Sequence, residues 1–201
     1  MKLRKKLLAL VLVAATAFLT ACGGSEKAYT PGKFTDNGYE SEFLGFRYTT
    51  PEGYMLSDED TLKDLMGTTL DVIGDDMSEI QKKYAEIAVI YEMMVSSDTG
   101  TANANITLEK TNAKLSTYVD TFKTQASELS GMDVTLEDSE EEVTLAGATY
   151  TKLKGSVDMS GITVNQEYYL RKVGDRMMAL TVTWYDDDAE RDKILDGFAA
   201  Y

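Results

Sequence analysis

Histidine is absent from the 201 residues, cysteine occurs once, tryptophan once and proline twice. Without histidine the chain cannot build a Ser-His-Asp or Cys-His nucleophile, and with a lone thiol it cannot assemble a zinc site from His and Cys ligands or close an internal disulfide. Catalysis also loses its commonest general base. A domain under these limits stands on its hydrophobic core alone, which a chain of this size can supply. Basic residues are scarce too: 20 Lys and Arg face 34 Asp and Glu, a net charge of −14. Such a surface repels nucleic-acid phosphate, so no nucleic acid is expected as a partner. The 43% hydrophobic share nevertheless marks a folded domain, not a disordered one.

What is present is sharply placed at the N-terminus. Lys2, Arg4, Lys5 and Lys6 precede residues 7–19, which carry no charge, and Leu19-Thr20-Ala21 then leads into Cys22. The apolar run is too short for a transmembrane helix, which needs about 20 residues, and the layout is that of a secretory signal. Small residues before the only cysteine make Leu19, Thr20, Ala21 and Cys22 a lipobox, and the whole segment resembles the bacterial lipoprotein signal. The resemblance implies that Cys22 takes a diacylglyceryl group and becomes the new N-terminus. Removing residues 1–21 takes away four basic residues and no acidic one, which moves the net charge from −14 to −18. The expected location is extracytoplasmic, with the chain lipid-anchored to the cell membrane through Cys22 and not through a basic patch.

Residues 22–38 carry Gly, Ser, Pro and Asn without apolar periodicity and read as the lipidated cysteine and a flexible tether, with Tyr29 and Phe34 able to pack on the domain. Residues 39–201 read as a single α+β domain, an antiparallel β-sheet flanked by helices. Tyr39 to Phe43 and Phe46 to Thr49 form a hairpin around Gly45, ended by Pro51-Glu52-Gly53. Ser57 with Asp60 resembles a capping box for a helix through Leu62, Leu65, Met66, Thr69 and Ile73, and Asp75 or Asp76 caps another through Met77, Ile80, Tyr84 and Ile87. Val89, Tyr91, Met93 and Val95 then share one strand face. In the answering strand, Ala104, Ile106 and Leu108 oppose Asn105, Thr107 and Glu109, which predicts a sheet with one wet side. Ser116 caps a helix with Tyr118, Val119, Phe122, Ala126 and Leu129 inward, stopped by Gly131. A meander follows: Asp133 to Val143, the Ala146-Gly147 turn, Thr149 to Met159, the Ser160-Gly161 turn, Ile162 to Lys172 and Arg176 to Trp184. Asp186, Asp187 and Asp188 start a closing helix with Ile194, Phe198 and Tyr201 on one face, Phe198 packing against Trp184.

The segment Glu42-Phe43-Leu44-Gly45-Phe46-Arg47-Tyr48-Thr49-Thr50-Pro51-Glu52-Gly53-Tyr54, a middle helix, the long meander ending in an apolar strand with Trp184, and a closing helix with an aromatic together look like the PsbP-like fold. That family of α/β/α sandwiches includes photosystem II extrinsic proteins, a Ran-binding nuclear import factor and bacterial lipoproteins of unknown function. The resemblance spans roughly residues 39–201 and brings no catalytic residues with it. The helices between Ser57 and Ile87 depart from the pattern, being longer than the usual connection.

The remaining constellations have ordinary explanations. Acidic clusters at Asp58-Glu59-Asp60, Asp75-Asp76, Asp138 to Glu142 and Asp186 to Asp188 could hold calcium, but they lack the D-x-D-x-D-G spacing and three fall at helix starts. Met93-Met94 and Met177-Met178 suit soft copper, yet adjacent strand residues point to opposite faces, so core filling is the expected use. No cofactor is expected, and no enzyme activity, although paired carboxylates alone could in principle serve a glycosidase. Tyr168-Tyr169 and Trp184-Tyr185 are the candidate partner surface, since one member of each pair should face outward. The reading is a lipoprotein that binds or helps assemble a protein or envelope partner. The rival is a small-molecule receptor serving a transporter, which a deep apolar pocket would favour. A Cys22→Ser chain should take up no fatty-acid label during growth; label equal to that of the unaltered chain would overturn the lipobox.

Overall fold

The computed structural model describes residues 27–64, 89–128, 133–158, 162–185 and 187–201. The lipobox, the helical readings over 65–88, Leu129, Gly131, the Ser160-Gly161 turn and Asp186 lie outside them. Among the described residues the strands are β1 (Lys33–Thr35), β2 (Gly38–Ser41), β3 (Phe46–Thr49), β4 (Tyr54–Leu56), β5 (Val89–Ser97), β6 (Ala102–Lys110), β7 (Asp133–Leu136), β8 (Glu141–Leu145), β9 (Ala148–Asp158), β10 (Thr163–Val173), β11 (Arg176–Trp184) and β12 (Phe198–Ala200). Helix α1 spans Leu115–Glu128 and helix α2 spans Asp188–Asp196. The fold is α+β, with two antiparallel sheets. A small sheet runs β1-β2-β3-β12, and a large one runs β4-β5-β6-β11-β10-β9-β7 with β8 also on β9.

The turns follow from local chemistry. Gly174 at φ 56° closes the β10–β11 hairpin in the register Tyr169↔Leu180. Ala146 and Gly147, at φ 49° and 75°, give the β8–β9 turn two consecutive positive angles, the requirement of a type I′ hairpin. Central strands β6, β11 and β10 are covered on both faces; β11 reads as a near-continuous apolar run, while β6 and β10 also bury polar side chains such as Asn105, Thr107, Gln166 and Glu167. On one face Ile106, Met178, Leu180, Val182 and Trp184 meet the small sheet and Ile194 of α2. On the other, Leu153, Tyr168, Leu170 and Met177 meet Tyr118, Val119, Phe122 and Ala126 of α1. The methionine pairs split across the sheet as core filler, Met178 to the first face and Met177 to the second.

Several expectations are corrected. The tether does not run to residue 38: β1 pairs with β2, and Tyr29 and Gly32 are hydrogen-bonded to Glu92, so the ordered domain begins by Lys27. Asp58, not Ser57, caps the helix that starts at residue 59, its carboxylate accepting from the Thr61 N–H at 2.8 Å. Ser116 lies inside α1. A β-bulge inserts Glu92 between Tyr91 and Met93, so Ile90, Met93 and Val95 share the core face while Val89 and Tyr91 turn to the other. The sheet has no wet side at β6, because Asn105, Thr107 and Glu109 are buried. The closing helix stops at Gly197, and Phe198 begins β12, where its ring packs on Phe46 and Tyr48 at 5.2 and 4.7 Å, not on Trp184.

Tyrosine is the main large side chain of this interior, and burial raises the phenols of Tyr39, Tyr48, Tyr54, Tyr150, Tyr168 and Tyr169 above their ordinary value. An unfolded tyrosine releases its proton near pH 10, while the folded one retains it. The stabilisation is therefore complete below about pH 10 and drains away as pH rises further, because the unfolded chain then holds fewer protons. Urea midpoints should stay level up to about pH 9.5 and fall steeply above about pH 10.5, with tyrosinate absorbance rising together with the loss of circular dichroism. Ionisation of these six buried phenols with the fold intact would contradict this account.

Candidate functional site

The four aromatics expected to form a partner surface do not form one. Tyr168 and Tyr169 are 2% and 5% exposed, and Trp184 is 5% exposed. Adjacent strand residues do point to opposite faces, but here both faces are covered. The Tyr168 ring meets Phe122 at 4.9 Å under α1, and its hydroxyl donates to Gln166 at 2.5 Å. Tyr169 donates to the buried Glu167 carboxylate at 2.5 Å, which Lys152 and Arg191 approach from 3.7 Å each. The Trp184 indole N–H donates to Asp188 at 2.9 Å, fastening α2 to the sheet, and Arg191 lies over its ring. Tyr185 alone is half-buried and reaches a cleft.

A residue that the sequence reading passed over organises the N-terminal side. The bulge on β5 turns Glu92 into the seam between the sheets, where it is 5% exposed. Its carboxylate accepts from the Tyr29 hydroxyl at 2.6 Å, the Tyr39 hydroxyl at 2.5 Å and the Gly32 N–H at 3.0 Å. Burial, reinforced by the Glu92 charge, raises both phenols, so they stay protonated donors. The Arg176 guanidinium covers the Tyr29 ring at 4.4 Å. No motif in the sequence marks Glu92. The one available signal is the charge interrupting an apolar strand, Tyr91-Glu92-Met93.

Farther along the seam the two sheets leave a groove of about 530 Å³ between β1 and β4. Both strands are sheet edges. Gly53, at φ 79°, lets the Tyr54 N–H return to the Pro51 carbonyl, so β4 starts immediately and its alternation sends Tyr54 inward and Met55 outward. Met55 is 66% exposed and Phe34, across the groove, 42%. Asp36, Asp58 and Glu59 supply negative charge to the same groove. Its neighbour, a polar cleft of about 600 Å³, is lined by Tyr54, Ser97, Thr99, Thr101, Tyr185 and Glu190 among others. There Glu190 takes a hydrogen bond from Tyr54 and another from Lys193, at 2.7 Å each. Lys193 and then Tyr54 hold its carboxyl below the usual range, the opposite of what a general acid at neutral pH needs. Asp187, at the cleft rim, caps α2 through the Ala189 N–H. Two acids of the 138–142 cluster are engaged as well: Glu140 pairs with Lys123, while Lys152 and Lys154 bring the Glu141 carboxyl down to about 2. Among the described residues no three His, Cys, Asp or Glu side chains converge in a metal-binding group.

No protein-family model matches the chain, and no curated protein matches it. Solved structures with a similar course of the chain include LpqN of Mycobacterium tuberculosis, described as involved in cell envelope biogenesis, at TM-score 0.44 and 13% identity over 77% of this chain and 82% of that one. A Bacteroides thetaiotaomicron protein is similar at TM-score 0.45 and 12% identity over 82% of this chain and 48% of that one. The cyanobacterial PsbP protein CyanoP of Synechocystis is similar at TM-score 0.48 and 10% identity over 91% of this chain and 99% of that one.

Replacing Glu92 by Leu leaves two hydroxyls and an amide without their acceptor in a buried seam. Each such group costs about 1–3 kcal/mol, so Glu92→Leu should lower the unfolding free energy by about 3 kcal/mol or more, while Tyr29→Phe, which removes one charge-assisted bond, should cost about 1.5 kcal/mol. Urea denaturation followed by Trp184 fluorescence measures both. Equal midpoints for all three chains would show that the N-terminal segment is not coupled to the large sheet.

Proposed function

We propose that this chain is an extracytoplasmic lipoprotein, anchored through Cys22, whose domain binds a protein partner in the groove between β1 and β4. The observation that carries the reading is the company of Phe34 and Met55. They are two of the four large apolar side chains exposed among the described residues, and both line this one groove. An apolar pair flanked by Asp36, Asp58 and Glu59 suits a partner segment that presents apolar and basic side chains together. Two open strand edges at the same place offer unpaired backbone groups to an extended segment. The groove is shallow and acid-rimmed, which favours a macromolecular partner over a small apolar ligand destined for a transporter. Tyr54, Asp187 and Glu190 of the neighbouring cleft are committed to a cap, an ion pair and each other, which supports binding over catalysis.

Site-specific photocrosslinking on intact cells tests this. A benzophenone side chain at Met55 should give a discrete protein adduct, whereas one at Ile162, exposed to the same degree as Phe34, should give none. Identical adduct patterns from the two positions, or adducts from 162 alone, would place the contact elsewhere.

A further inference from the structure

The order of the chain at Lys27 constrains how an anchored domain can stand on a membrane. This step rests on the lipid at Cys22 proposed above. Four residues separate Cys22 from Lys27, and the five peptide links between the two span at most about 18 Å when fully extended. Strands of the large sheet are longer than that: β6 has nine residues, about 30 Å from end to end. Whichever end of the sheet holds Lys27 is therefore kept close to the bilayer, while the tether alone leaves the tilt of the domain open.

That end is the β10–β11 hairpin. The Lys27 carbonyl lies so close to Gly174 that a Cβ there would stand 2.5 Å from it, and the Lys27 ammonium donates to the Glu42 carbonyl at 2.8 Å. Beside them, Arg176 is in register with Lys110, the Thr111 N–H donates to the Asp175 carbonyl, and Lys114 follows at the entry to α1. Lys27, Lys110, Lys114 and Lys172 are exposed, and Arg176 adds a fifth cation. Against them stand Glu42 and Asp175, the latter 3.8 Å from Lys110, with Glu109 buried behind. The far end has the reverse character. Glu52, Asp98, Asp187 and Glu190 gather round the polar cleft there against Lys193, the single cation among its described residues, and Asp158 closes the neighbouring strand pair. A chain with a net charge of −14 thus concentrates cations at the end nearest its lipid.

We infer that this basic tip, formed by Lys27, Lys110, Lys114 and Lys172 with Arg176 turned onto Tyr29 behind them, docks on anionic lipid headgroups and holds the domain upright, with its acidic end and its groove away from the bilayer. Overall charge would keep the domain off such a surface, whereas local charge brings this one end down to it.

The test uses the lipidated protein, reconstituted in vesicles with or without phosphatidylglycerol. Acylation blocks Cys22, so Thr117→Cys near the tip and Asp98→Cys at the far end each offer one thiol for a fluorophore, which a nitroxide on the lipid headgroups quenches on contact. Quenching at 117 should exceed that at 98 at least threefold on anionic vesicles. It should fall by half or more on phosphatidylcholine alone, in high salt, or when Lys27→Glu and Lys114→Glu are combined. Equal quenching at both positions, or no dependence on anionic lipid, would overturn the inference while leaving the anchor standing. Absence of fatty-acid label on Cys22 would overturn the anchor and the orientation together.

Discussion

The segment 29–39 is fastened to the large sheet by one buried carboxylate, beside the apolar core that the two sheets share. A buried charge is costly unless it is fully solvated by protein dipoles, and Glu92 meets that condition with two phenols and a backbone amide drawn from three separate positions of the segment 29–39. The bulge that aims it inward also shifts the alternation of β5, so that Ile90 pairs its face with Leu108 and Met93 with Ile106. Apolar surface and buried charge thus agree on one register. The small sheet, the seam groove and the place of Lys27 follow from it.

Much of this architecture was legible in the residues. The α+β class, the hairpins at Gly45, Ala146-Gly147 and Gly174, the inward stripe of α1, and the shared face of Met178, Leu180, Val182 and Trp184 follow from period and turn chemistry. Alternation was misleading where polar residues satisfy one another. Gln166 binds the Thr183 and Tyr168 hydroxyls inside the second core, so a polar position on β10 or β6 signals a buried network and not solvent. The aromatic pairs misled for the same reason, since a sheet covered on both sides leaves neither neighbour outside. Helical spacing carried Phe198 past Gly197 because three residues of strand are too few to show a period of two. Glu92 was illegible, since a bulge depends on what the neighbouring strand contributes. The seam groove was illegible too, because Phe34 and Met55 meet only through the pairing of sequence-distant strands.

The groove and the basic tip lie towards opposite ends of the large sheet. Tyr54 pairs with Ser97 beside the β5–β6 turn, whereas Lys110 and Arg176 pair at the other end. About 30 Å of sheet separates them, so the anchoring and the recognition proposed above would fall towards different ends of one domain.

The small sheet joins the first described strand to the last, since β12 pairs with β3 and β1 with β2. Phe198 cannot reach Tyr48 until all of the chain between them has been made. Pairing β12 with β3, across a contact of high loop-closure entropy, delays completion of the fold. The export proposed above would require passage through a narrow channel before folding, which premature compaction would block. A domain slow to finish fits that proposal, because its chain stays threadable until β12 arrives.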